Sequence, residues 1–211
     1  MSAWTFFLTH RGEIFDATLA HLELVLIAMS IAIAIGVPLG MFIVQRAALR
    51  TFFLGIASVF QTIPSLALFG FLIPIPFIGG IGRRTAIVAL VLYALLPILR
   101  NTYVGLSSID PAVLEAAEAM GMTNLQILTR VRLPLALSII LAGIRTATVI
   151  TIGVATIAAA IGAGGLGTFI FRGVAMVSDA VILAGAVPAA LLAIVADIFL
   201  ALVERRLRVQ S

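Results

Sequence analysis

Long apolar segments are the feature that most constrains how this chain folds. Runs of about 18 or more mostly apolar residues recur along its 211 residues, and each is long enough to cross a bilayer as a helix. The alternative is a water-soluble helical protein with a very apolar core. Such helices need a charged face opposite the apolar stripe, and these segments lack one, since only 10% of the residues are charged. The pattern predicts an all-α integral membrane protein.

Five membrane-spanning helices are expected, at roughly 22–44, 52–76, 85–106, 134–161 and 179–203. Residues 1–18 mix aromatic and charged side chains and are too short to span, so they form a predicted N-terminal interfacial segment. The membrane domain extends over 19–204, and 205–211 form a C-terminal tail. A long polar insert, at about 107–133, lies between the third and fourth spans.

Arginine placement predicts the orientation, because cytoplasmic loops of membrane proteins carry an excess of basic residues. All 13 basic residues are arginine. With the N-terminus outside and the C-terminus inside, the cytoplasmic arginines are Arg46, Arg50, Arg100, Arg130, Arg132, Arg205, Arg206 and Arg208. The outer ones are then Arg11, Arg83, Arg84 and Arg172, and Arg145 lies within a span. The larger cytoplasmic set favours this orientation and places the insert in the cytoplasm.

The chain lacks the residues that several classes of function require. The chain has no cysteine, which excludes disulfides, iron–sulfur clusters and thiolate metal sites. Its two histidines both precede or begin the first span, so haem ligands inside a bundle are missing. No basic cluster with interleaved aromatics indicates nucleic-acid binding. Intramembrane hydrolase motifs are missing, and no carboxylate lies near a predicted span centre, as ion-driven carriers often require.

The polar insert carries the signals of two short helices joined by a corner. Asp110 before Pro111 indicates a helix start, because aspartate caps free amides and proline fits the first helical position. Gly121 ends this helix, since glycine readily adopts the left-handed conformation there. Thr123 and Gln126 match a capping box that opens a second short helix.

An apolar stripe at helical spacing marks the first of these helices, formed by Val113, Leu114, Ala117 and Met120. Two compact helices outside the membrane suit docking into a groove of a soluble partner. An amphipathic loop lying on the lipid headgroups has the same pattern, and patterning alone leaves both alternatives open.

The insert resembles the EAA motif of ABC-importer permeases, whose pattern is E-A-A, three residues, G, nine residues, I, one residue, and L-P. The matching residues, all at the expected spacing, are Glu115, Ala116, Ala117, Gly121, Val131, Leu133 and Pro134. Valine in place of isoleucine is the single departure. In that family the motif forms coupling helices that sit in a cleft of the ATP-hydrolysing subunit.

The resemblance implies the transmembrane domain of a type I ABC importer in a bacterial cytoplasmic membrane. It implies a pair of ATPase subunits docked on residues 107–133, a second permease subunit, identical or not, and an external substrate-binding protein. The chain would then be no enzyme and would bind no cofactor, with ATP used by the partner. The sequence agrees, because a phosphate-binding P-loop needs a lysine and the chain contains none.

A glycine-rich stretch, GAGGLG at 162–167, formally matches the dinucleotide-binding pattern. It does not follow a strand in a βαβ unit, so a re-entrant break at the outer end of the fourth span is the better interpretation. Residues 156–173, 60–76 and 21–25 are similar to segments of osmoprotectant permeases, which import glycine betaine, carnitine or choline. The resemblance implies such a substrate, and another small solute such as an amino acid is the alternative.

Two sets of polar residues are candidates for the transport pathway or gate. Gln61 and Thr62 precede Pro64 within the second span, where proline frees backbone carbonyls; the alternative is a kink for packing alone. Arg145 and Asp197 lie within spans, where charges are costly unless paired, so we predict an ion pair. The alternative is that each reaches polar surroundings separately.

Two functions of other kinds remain open. A membrane anchor for a soluble enzyme would keep the insert but transport nothing, and the polar, proline-rich second span argues against it. An ATP-independent channel would have no use for a coupling motif.

Overall fold

The computed structural model describes residues 3–44 and 46–207, and over these ranges the chain is helical and contains no strand. The helices are α1 (Ala3–Thr9), α2 (Arg11–Ile43), α3 (Ala47–Thr62), α4 (Ser65–Leu72), α5 (Arg83–Ser107), α6 (Pro111–Ala119), α7 (Asn124–Ile127), α8 (Leu133–Ile157), α9 (Gly167–Ala175) and α10 (Asp179–Leu207). Within the described residues, four helical runs are long and apolar enough to span a membrane, and α3 with α4 forms a fifth, bent candidate. The predicted all-α membrane fold is confirmed.

The centre of the bundle is formed by α2, α5 and α8. Helices α2 and α5 run in the same direction, since Gly36 lies against Ile98 and Gly40 against Thr102. Helix α8 runs opposite to α5, because Gly105 of α5 faces Ala136 near the start of α8. Small residues at these contacts let the backbones approach closely, as is usual between membrane helices.

Helix α10 packs on the outside of this centre, and only four of its residues are buried. Its buried residues lie in the first three turns, where Val181 and Ala184 share a small core with Phe169 of α9 and Phe6 of α1. The remaining apolar surface of α10 therefore faces lipid or another subunit.

The first long helix begins earlier than predicted. Residues 11–18, assigned to an interfacial segment from the sequence, are the first two turns of α2. No glycine or proline lies between Gly12 and Gly36, so nothing interrupts the helix over that distance. Residues 1 and 2 of that segment lie outside the described residues, and Ala3–Thr9 forms α1, which packs through Phe6 against the start of α10.

The second predicted span is two helices, whose axes differ by 105°. Proline disfavours the helical conformation of the residue before it, and Ile63, before Pro64, is extended with φ −69° and ψ 128°. The carbonyl oxygen of Ile63, released from the helix, accepts a hydrogen bond from the hydroxyl of Tyr93 on α5. The interruption expected at Pro64 is therefore present, as a sharp bend that frees a backbone carbonyl.

The second helix of the insert is also different from the prediction. It runs on without a break into the fourth span, so that residues Asn124–Ile161 form one helical rod of 38 residues. A π turn at Leu128–Arg132 joins α7 to α8 just before Pro134. Proline lacks the backbone donor that an α-helix needs, and a local π turn accommodates that loss within a continuous helix.

The bundle places the insert at one end and the glycine-rich turn at the other. At the glycine-rich end, Glu23 of α2 and Arg83 at the start of α5 form an ion pair of 2.7 Å. His21, two residues earlier on α2, contacts Gly165 of the glycine-rich turn. The insert follows the opposite end of α5. These positions match the predicted order of spans.

Replacing Gly143 with alanine is expected to destabilise the bundle. A Cβ at Gly143 would lie 2.5 Å from the Cβ of Asn101 and 2.8 Å from the carbonyl oxygen of Pro97, both on α5. Overpacking of this kind costs about 1–3 kcal/mol, which lowers the melting temperature by about 2–4 °C per kcal/mol in a chain of this size. Thermal unfolding of the detergent-purified subunit measures the effect.

Gly153 on the same helix is the matched control, because a Cβ there meets nothing within 4 Å. Gly153→Ala should leave the melting temperature unchanged or slightly raised, since alanine favours helix more than glycine does. Equal melting temperatures for the Gly143→Ala and Gly153→Ala variants would show that α5 and α8 do not pack as closely as described.

Candidate coupling loop and transport pathway

The first helix of the insert forms as its sequence predicts. The carboxylate of Asp110 accepts a hydrogen bond of 2.9 Å from the backbone amide of Ala112, and Pro111 occupies the first turn of α6. The helix ends at Ala119, and Gly121 adopts the left-handed conformation with φ +77°. This corner turns the chain back towards the membrane domain.

A complete capping box starts the second helix. The backbone amide of Thr123 donates to the side-chain oxygen of Gln126 at 2.8 Å, and the amide of Gln126 donates to the hydroxyl of Thr123 at 3.4 Å. Further along, Leu133 packs on a small core formed by Leu106, Ala136 and Ile140. The final residues of the EAA-like motif, from Val131 to Pro134, therefore lie where the rod enters the bundle.

The predicted apolar stripe of α6 is mostly uncovered. Ala117 is buried, but Val113 is exposed and Met120 is 75% exposed. Leu125 at the start of the second helix is 69% exposed, and Glu115 lies on the exposed surface of α6. A cavity of about 520 Å³ separates the insert from the ends of α2 and α5. The insert thus presents apolar and acidic side chains outward.

Arg145 and Asp197 form the ion pair expected from the sequence. Arg145 Nε donates to Asp197 Oδ1 at 2.5 Å, and Arg145 Nη2 donates to Asp197 Oδ2 at 2.8 Å. This bidentate geometry is the strongest that arginine and a carboxylate adopt. Arg145 lies twelve residues from each end of α8, at the middle of that helix.

The surroundings of this pair are polar and open. A pocket of about 360 Å³ is lined by α8 and α10 and includes Thr146 and Glu204 beside the pair. The side chains of Arg145 and Asp197 are 35% and 39% exposed. Charges at this depth are very costly in contact with lipid tails. This face of the bundle is therefore suited to a water-filled path or a second subunit.

The three candidates on the second span lie together at the bend between α3 and α4, away from the ion pair. Thr62 and Pro64 are exposed and Gln61 is partly buried. The hydroxyl of Thr62 donates to the carbonyl oxygen of Val59 at 2.8 Å, so it is already used within its own helix. The bend contacts Tyr93, ten residues into α5 and hence about 15 Å along that helix.

The glycine-rich turn is held inside protein, as a re-entrant segment requires. Leu166 and Ala163 are buried, and Gly162, Gly164 and Gly165 all have positive φ angles. The fully buried His21 packs against this turn, with its Nε2 3.1 Å from the carbonyl oxygen of Ile152.

Several residues of these sites were missed by sequence reasoning. Tyr93, which bonds the bend, lies in an apolar run that gave no signal of pairing, and Glu204, which lies near Arg145, was not identified either. The Glu23–Arg83 pair joins helices 60 residues apart in sequence. For Glu204 a signal existed, since it lies on the same face of α10 as Asp197.

The sequence profile of one family, described as "Binding-protein-dependent transport system inner membrane component", matches residues 17–209. An osmoprotectant import permease protein of Salmonella typhimurium is 48% identical over 91% of this chain and 90% of its own length. A carnitine transport permease protein of Listeria monocytogenes is 43% identical over 96% of this chain and 92% of its own length. A Bacillus subtilis permease protein for glycine betaine, carnitine and choline is 44% identical over 96% of this chain and 88% of its own length.

A solved structure shares the fold over nearly the full length. An inward-facing form of the MetNI methionine ABC transporter superposes with a TM-score of 0.81, at 26% sequence identity, covering 98% of this chain and 99% of that one. A second crystal form of the same transporter gives a TM-score of 0.79. This chain belongs to the family of binding-protein-dependent transport system inner membrane components and is the permease subunit of an ABC importer.

Proposed function

We propose that this permease carries osmoprotectants of the quaternary-amine class, such as glycine betaine, carnitine or choline, into the cell. The observation that carries the proposal is 43–48% identity, over more than nine-tenths of this chain, to permeases named for these solutes. The alternative substrate, an amino acid, is supported by the methionine transporter at 26% identity.

The insert, residues 107–133, is proposed to dock on a separate ATPase subunit. Its outward side chains support this, because Met120 and Leu125 are large, apolar and exposed, and Glu115 adds an acidic group to the same surface. An exposed apolar surface bordered by charge is typical of a protein interface. Movement imposed there would pass along the continuous rod from Asn124 to Ile161 into the centre of the bundle.

The transport cycle is proposed to be alternating access, with ATP binding and hydrolysis on the partner selecting between two arrangements of the permease. A second permease subunit would cover the open face near Arg145 and complete a path between the two subunits. Gln61, Thr62 and Pro64 at the mid-depth bend, together with Arg145 and Asp197, are the residues proposed to line or gate that path. An external substrate-binding protein would deliver the solute at the glycine-rich end.

The orientation proposed is N-terminus outside and C-terminus inside. The chain has no cysteine, so single cysteines can be introduced without background. A cysteine replacing the exposed Ser107 should react with a membrane-impermeant maleimide only after the cells are opened. A cysteine replacing Ile81, which is strongly exposed at the opposite end, should react in intact cells. The reverse pattern would place the insert outside and end the coupling proposal.

The substrate class is tested by growth at high osmolarity. A host lacking its own osmoprotectant importers, supplied with this permease and its ATPase and binding protein, should grow in high salt only when a quaternary amine is added. The same cells carrying the Glu115→Lys variant should not grow, because the charge reversal lies on the proposed docking surface. Growth that responds to no quaternary amine, with uptake of an amino acid instead, would contradict the substrate proposal.

A further inference from the structure

A second carboxylate lies within reach of Arg145. The Nη1 atom of Arg145 is 3.7 Å from Oε2 of Glu204, while Nε and Nη2 bond Asp197. Two nitrogen atoms of the guanidinium therefore donate to Asp197, and its remaining donors lie towards Glu204. A charge-assisted hydrogen bond is about 2.7–2.9 Å long, so a closure of about 1 Å would complete the contact with Glu204.

The two carboxylates occupy equivalent positions on α10. They are seven residues apart, so they lie on the same face of the helix, about 10.5 Å apart along its axis. Arg145 faces both from the neighbouring α8. Because the two acids are separated along α10, a shift of α8 along that axis which brings the guanidinium towards Glu204 carries it away from Asp197. The network therefore has two alternative arrangements of one cation on two anions.

The pocket leaves room for the exchange. The side chain of Glu204 is 27% exposed, and those of Arg145 and Asp197 more so, which means that none of the three is locked by packing. The pocket of about 360 Å³ that contains them offers space for the guanidinium to turn from one acid to the other.

Arg145 is also rigidly connected to the insert. The helical rod that begins at Asn124 reaches Arg145 without a break, and Arg145 lies about 18 Å beyond Leu133. A shift of the insert along the rod axis therefore changes the position of the guanidinium relative to α10. In packed helices such shifts are accommodated as discrete changes of partner.

We infer that Glu204 is the second partner of Arg145 in the transport cycle, and that α8 exchanges Arg145 from Asp197 to Glu204 when the insert moves. Glu204 is thus a positioning residue that stabilises the other arrangement of the permease, in which Asp197 is released to the pocket. The inference depends on the proposed importer function only in requiring that the insert moves with the ATPase.

Removal of Glu204 and removal of Asp197 should shift the equilibrium between the two arrangements of Arg145 in opposite directions. In the reconstituted complex of permease, ATPase and binding protein, Glu204→Gln should lower maximal uptake at least about fivefold, the lower end of usual coupling effects. The concentration of loaded binding protein for half-maximal uptake should not change. ATP hydrolysis without binding protein should fall in Glu204→Gln and rise in Asp197→Asn, because Asp197→Asn releases Arg145 towards Glu204.

Arg205→Gln is the matched control, since Arg205 is the exposed neighbour of Glu204 on α10 and should leave both activities at the parental level. A Glu204→Gln complex with parental uptake, or acid variants that change basal ATP hydrolysis in the same direction, would overturn the inference. If the Glu204→Gln complex fails to assemble, the Asp197→Asn complex tests the inference alone. Basal ATP hydrolysis in Asp197→Asn that is no higher than in the parent would overturn the inference. If the parent complex takes up no osmoprotectant, the result contradicts the proposed function and not this inference. The inference is then tested by the ATP hydrolysis of the two acid variants alone.

Discussion

The Gly121→Val variant is expected to accumulate in the membrane normally and to lose most of its substrate uptake. Gly121 has φ +77°, and a Cβ there would meet nothing within 4 Å, so the penalty is purely conformational. A left-handed conformation costs a non-glycine residue about 1–2 kcal/mol, and more if it is β-branched. Relieving that strain redirects α6 relative to the rod, and we expect uptake to fall about tenfold or more, as 1.4 kcal/mol corresponds to a factor of ten. Uptake and ATPase co-purification measure the loss.

Gly121→Asn is the matched control, because asparagine tolerates the left-handed region several-fold better than most residues. It should keep most of the uptake and should bind the ATPase at near-parental levels. Equal loss in the Asn and Val variants would mean that the side chain itself disturbs the docking surface. Full uptake with Gly121→Val would show that the corner between α6 and α7 is not needed for coupling.

Removing Arg145 is expected to have the largest effect on assembly. Arg145→Ala leaves both Asp197 and Glu204 without their shared cation on helices that span the membrane, where unpaired charges are costly. We expect the amount of correctly folded subunit to fall about tenfold or more, as is typical when one partner of a charge network is removed. Fluorescence-detected size-exclusion chromatography of membrane extracts measures the folded fraction.

The variants of Asp197 decide whether the pair acts as a unit. Asp197→Ala should be milder than Arg145→Ala, because Glu204 remains as a partner for the arginine. The double variant of Arg145 and Asp197 should be less damaging than the sum of the two single changes, as interacting residues are not additive. Strict additivity would show that the ion pair contributes nothing, and Arg205→Ala controls for loss of an exposed charge nearby.

Local signals in the insert were read correctly from the sequence because each acts over only a few residues. The Asp110 cap, the Gly121 corner and the Thr123–Gln126 box depend on hydrogen bonds between near neighbours, which the order of residues defines. The four long spans followed from length and hydropathy alone.

Features that depend on contacts between distant segments were outside the reach of sequence patterns. Pro64 indicated an interruption, but the 105° bend also depends on Tyr93, whose hydroxyl donates a hydrogen bond to the freed carbonyl oxygen of Ile63. The apolar stripe of α6 was identified correctly, but its outward direction follows from how the rod leaves the bundle. Pairing of Arg145 with Asp197 was predictable from the cost of charges in membranes, whereas the position of Glu204 required the register of α8 against α10.

The central claim is that this chain imports a solute by coupling to an ATPase through residues 107–133. The direct test is uptake of radiolabelled glycine betaine, carnitine and choline into liposomes that contain the purified permease, with ATP, the ATPase and the binding protein each omitted in turn. The account predicts uptake of at least one of these solutes only when all three are present, and none with a non-hydrolysable ATP analogue. Uptake that persists without ATP or without the ATPase would contradict it and would identify the chain as a passive channel.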